Sequence, residues 1–65
     1  MEFTNIARVL ANYVGSEVEI KEHRPGWFRA KFSYLKEDGG FLIQDGLAST
    51  VLAALLVLDN ELKGD

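Results

Sequence analysis

From Leu47 to Leu58, ten of twelve consecutive residues are apolar, and only Ser49 and Thr50 interrupt them. The run is rich in Leu and Ala, which favours helix over strand, and it predicts a helix from Leu47 to Leu62. A helix that is apolar all round belongs inside a core or at an interface. At about 100° per residue, Leu47, Val51, Ala54, Leu55, Leu58 and Leu62 fall on one side and are expected to face the core. Leu52, Ala53 and Leu56 point away from it, flanked by Ser49 and Asn60, with Val57 between the two faces. The outward strip Ser49, Leu52, Ala53, Leu56 and Asn60 has the spacing of a helix-packing seam. It is the first candidate site, a protein interface.

The rest of the chain offers little else to hold such a helix. Its 65 residues make a single α/β domain, residues 1–65. A domain this small buries only about 60% of the surface its unfolded chain exposes. Domains near this length lean on disulfides, a metal or a partner. Cysteine is absent and His23 is the lone histidine, so the roughly four N or S ligands of a zinc site are missing. Association is the support that remains. The expected partner is a second copy, in a twofold dimer, or another protein. Composition is 48% hydrophobic and 26% charged, which suits a folded chain rather than a disordered one. No segment reaches the roughly 18 apolar residues of a membrane span. Met1-Glu2-Phe3-Thr4 lacks a basic-then-apolar signal pattern. A cytoplasmic protein without membrane contact is the expectation.

Upstream, Phe3, Ile6, Ala7, Leu10, Tyr13 and Val14 make one helical stripe, with Gly15 as its C-terminal cap. Ser16 to Lys21 alternates, with Val18 and Ile20 against Glu17, Glu19 and Lys21, as a half-buried strand does. Trp27 to Leu35 alternates again, with Phe28, Ala30, Phe32 and Tyr34 on the apolar face. Residues 22–26, containing Pro25-Gly26, read as the loop between them. Pairing Ile20 with Phe28 and Val18 with Ala30 keeps apolar residues opposite each other. It also sets Glu19 against Arg29 and Glu17 against Lys31, whereas a two-residue slip brings Lys21 against Arg29. The first register is therefore expected. Glu37-Asp38-Gly39-Gly40 reads as a second turn and Phe41 to Gln44 as a short third strand. Whether Phe41 and Ile43 or Leu42 face the core stays open. Asp45-Gly46 is expected to end that strand, with Asp45 or Ser49 capping the next helix. The predicted fold is α+β, in the order α-β-β-β-α: a three-stranded antiparallel sheet with both helices on one face.

The net charge is -3, yet residues 21–36 hold five of the seven basic groups and one acid. Arg24, Trp27, Arg29 and Lys31 therefore form the second candidate site, a macromolecule-binding face beside Glu17, Glu19 and Lys21. Tryptophan and arginine dominate protein hot spots. An aromatic among cations also suits nucleic acid, by stacking a base and holding phosphates, and that is the alternative for this hairpin. A structural reading has Trp27 capping the hairpin under an arginine. With no cysteine and one loop histidine, no nucleophile–base pair is legible. Gly39-Gly40 lacks the P-loop pattern, and Asp38, Asp45, Asp59 and Glu61 lack EF-hand spacing. No enzyme, metal, cofactor or small-molecule substrate is expected.

The α-β-β-β-α order at this length resembles the double-stranded-RNA-binding domain over nearly the whole chain. Gly46-Leu47-Ala48-Ser49-Thr50 stands where that family has a glycine and then a lysine-rich helix start. The resemblance implies RNA binding through those lysines. Here Leu, Ala, Ser and Thr take their places, which removes the grip and leaves an apolar contact surface. The leading expectation is a non-enzymatic assembly module, a regulatory accessory protein dimerising through Leu52 and Leu56.

Overall fold

The computed structural model describes residues 3–35 and 39–63. The chain runs α1 (Thr4–Asn12), β1 (Glu17–Arg24), β2 (Trp27–Leu35), β3 (Phe41–Ala48), α2 (Val51–Glu61). The strands form one antiparallel sheet in the order β1-β2-β3, as the α+β reading requires. Glu37 and Asp38 of the expected second turn lie outside the described residues, as do Lys36 and the side chain of Phe41.

The molecule measures 37 × 23 × 15 Å. Fifteen ångströms accommodates one helical layer on one sheet, so the other sheet face is open. The core between them is Ile6 and Val9 of α1, Ala30, Phe32 and Tyr34 of β2, and Ala54, Leu58 and Leu62 of α2 and its end. Tyr34 packs between Tyr13 and Phe32, with ring centroids 4.6 and 5.6 Å away.

The stripe of α1 turns out narrower and rotated from expectation. Ile6 and Val9 are buried, whereas Ala7 and Leu10 are exposed. The helix ends at Asn12, because Tyr13 is already extended (φ -120°, ψ 110°). Val14 therefore lies beyond it and is 97% exposed.

The hairpin adopts the slipped register. Ile20 opposes Ala30, Val18 opposes Phe32, Glu19 opposes Lys31 and Lys21 opposes Arg29. The turn outweighs the charges. Arg24 pairs with Trp27, so the loop is Pro25-Gly26 alone, shorter than the expected 22–26. Pro25 has its φ set by its ring, and Gly26 takes φ +83°, the residue pattern of a type II turn. Such turns splay flanking strands, and the irregularity between Glu22 and Arg24 supplies compensating twist. An exposed charge pair contributes only about 0.2–1 kcal/mol, too little to oppose the Pro25-Gly26 turn and a longer ladder. The Lys21–Arg29 repulsion is also relieved locally. Arg29 donates from Nε and Nη2 to Oδ2 of Asp45, at 3.0 and 2.6 Å, and Lys21 Nζ sits 3.8 Å from Glu19. Because the slip is two residues, each side chain keeps its face.

β3 does not stop at Gln44. It continues through Asp45-Gly46 to Ala48, in unbroken register with β2. Leu42 opposes Tyr34 on the helix-bearing face, and Ile43 opposes Ser33 on the open one. Leu47 consequently belongs to the strand and not to the core face of a helix. Gly46 is where α2 rests on the sheet. A β-carbon there would run into the Ala54 carbonyl oxygen and lie 2.6 Å from the Leu58 nitrogen. Only glycine permits that approach. The segment behind the RNA-binding-domain resemblance is thus largely strand, not a helix start. Neither Asp45 nor Ser49 caps α2; Thr50 does, its Oγ1 accepting from Ala53 N at 3.0 Å.

Candidate functional site

Once α2 has docked, its outer half remains in water. Ala54 and Leu58 are buried and Leu55 is partly covered. Leu52 stays 50% exposed, Val57 40% and Leu56 39%. Val51, placed on the core side by the sequence, is also exposed. Of the expected strip, Leu52, Leu56 and Asn60 are exposed and Ala53 is half-buried. Ser49 precedes the helix and is not part of its surface.

The two flanks of α2 differ. Asp59 faces α1: Oδ1 accepts from the Ile6 amide at 2.9 Å, Oδ2 accepts from Asn5 Nδ2 at 3.3 Å, and its carbonyl accepts from the same Asn5 nitrogen at 3.0 Å. α1 has no cap of its own, so Asp59 satisfies one of its first free amides. Arg8 in turn donates to the Leu62 carbonyl at 3.0 Å. The opposite flank carries Ala53, Val57 and Asn60. Val57 lies over Gly46 of β3 while remaining exposed, so this flank overhangs the free edge of the sheet. Val57 is an exposed residue of this flank that sequence reasoning placed between the two faces. Its position follows from the Gly46 contact, which no helical periodicity reveals.

α2 packs on β2 and β3. Little of it reaches β1, so Ile20 on the helix-bearing face is still 46% exposed. Among the described residues, more large apolar side chains are exposed than fully covered: eleven against a buried core of eight that includes two alanines.

The open face does not carry the basic patch that residues 21–36 suggest. Strand pairing interleaves Glu17, Glu19 and Asp45 with Lys21, Arg29 and Lys31, three carboxylates with three cations. Lys31 stands between Glu19 and Asp45 in one row across the sheet. Arg24 places its guanidinium carbon 5.8 Å from the centre of the Trp27 ring, the hairpin-capping contact. Ile43, Leu47 and Leu35 add exposed apolar groups to this face. His23 sits exposed at the irregular end of β1. Among the described residues, no three His, Asp or Glu side chains gather as metal ligands, and no helix is long and apolar enough to cross a membrane.

Comparison with protein families, curated proteins and solved structures finds no match for this chain.

Proposed function

We propose that the chain is a non-enzymatic assembly module that self-associates through α2. The observation carrying this reading is the exposure of Leu52, Leu56 and Val57 together on one helix, left 39–50% exposed by the other described residues. Full burial of such a side chain is worth about 1.5–3 kcal/mol. These three are about half exposed, so a twofold contact gains on the order of 1 kcal/mol from each of six. Association itself costs roughly 4–15 kcal/mol. The leucine seam therefore marks the surface but needs a contiguous contact to complete it. The open sheet face, with Trp27 at its hairpin end and Lys31 near its middle, is a second surface for a protein partner. The pairing of its cations with carboxylates weighs against phosphate-driven binding of nucleic acid, which requires unneutralised Lys and Arg.

Light scattering on the wild type and on Leu56→Glu tests the reading. The wild type is expected at twice the chain mass, and Leu56→Glu at the monomer mass. A monomeric wild type up to millimolar concentration overturns it.

A further inference from the structure

The sheet has two edges, β1 and β3, and they are guarded very differently. β1 carries Glu17, Glu19, Lys21, Glu22 and Arg24, and its pairing is irregular around His23. Charges and bulges of this kind keep an edge from templating another strand. β3 is equally long, reads Phe-Leu-Ile-Gln-Asp-Gly-Leu-Ala, and pairs with β2 without a break. It has no proline and a single charge. That charge, Asp45, is already held by Arg29, so it no longer repels a like strand.

We propose that β3 pairs with β3 of a second copy, antiparallel about a twofold axis, giving a continuous six-stranded sheet. This rests on the self-association reading and supplies the contact that the α2 seam lacks. An extended peptide would also satisfy the edge, but it would leave the overhanging flank of α2 uncovered. A second copy covers both. Strands lie about 4.8 Å apart, and α2 straddles β2 and β3. Two such helices across a β3–β3 seam stand up to roughly 10 Å apart, the upper end of the interaxial distance that packed helices adopt. Ala53 and Val57, on the flank above the seam, then meet their counterparts, with Leu56 beside them.

The test is amide hydrogen exchange of the full chain, read residue by residue at concentrations below and above dimerisation, with Leu56→Glu as the monomer reference. Alternate amides of Phe41–Ala48 already bond to β2. The other half are expected to slow by about tenfold or more in the dimer, while the outward amides of β1 do not change. A dimer in light scattering whose β3 amides exchange as in dilute protein overturns the edge pairing and leaves the α2 contact standing. A chain that stays monomeric at every concentration overturns both.

Discussion

α1 and α2 cover the same sheet face with opposite kinds of surface. α1 buries Ile6 and Val9 and turns Thr4, Ala7, Ala11 and Asn12 to water. Apart from Leu10, which stays exposed, its amphipathic pattern is consumed by one core. α2 buries Ala54 and Leu58 and still offers Leu52, Leu56 and Val57 to solvent. The capping is also unequal. α2 has Thr50 at its own N-terminus, whereas the amide of Ile6 in α1 depends on Asp59 of α2. α2 is therefore the element on which the fold is organised, and α1 is attached to it. On the proposed reading, the apolar residues that α2 holds beyond its core requirement serve association, while α1 leaves Leu10 as its one exposed large apolar residue.

Three substitutions sharpen this contrast. The largest effect is expected from Gly46→Val, which places side-chain atoms where the α2 backbone sits. Overpacking against backbone leaves no flexible group to yield, so a loss above about 3 kcal/mol is expected, read as a collapsed denaturation midpoint. Near-wild-type stability would mean α2 does not rest on β3. Asp59→Ala comes next. Losing the cap should cost about 0.5–2 kcal/mol, with the α1 amides exchanging first; uniform loss across the molecule would refute the dependence of α1 on α2. The smallest effect belongs to Leu10→Gln. Leu10 is exposed on α1 without a companion seam, so stability should stay within about 0.5 kcal/mol and oligomeric mass should not change. A monomeric Leu10→Gln chain would extend the interface to α1 and end the contrast.

The strand alternation was legible because period-2 patterns report directly which side chains share a face. Phe28, Ala30, Phe32 and Tyr34 could be assigned to one face without coordinates. Strand register was less accessible. The visible choice was between charge pairs, but the Pro25-Gly26 turn decided it, and the cross-sheet partner Asp45 removed the apparent penalty. The candidate interface was partly readable. Leu52 and Leu56 follow from helical spacing, whereas Val57 required knowing which strand lies beneath α2. The charge of the hairpin face was partly readable: alternation already sets Glu17 and Glu19 beside Arg29 and Lys31, whereas Asp45 joins them only once β3 pairs with β2.

By itself, the sequence determined the element order, the parity of β1 and β2, and the surplus of apolar residues in the last helix. These depend on local periodicity and composition, which any window of the chain displays. Tertiary structure alone decided that Asp45-Gly46 continues a strand, that Gly46 receives the helix backbone, and which edge of the sheet is left unguarded. Those outcomes turn on contacts between residues far apart in the chain. Asp45 becomes harmless only through Arg29 on the neighbouring strand, and glycine at 46 has a reason only because Ala54 and Leu58 lie directly above it.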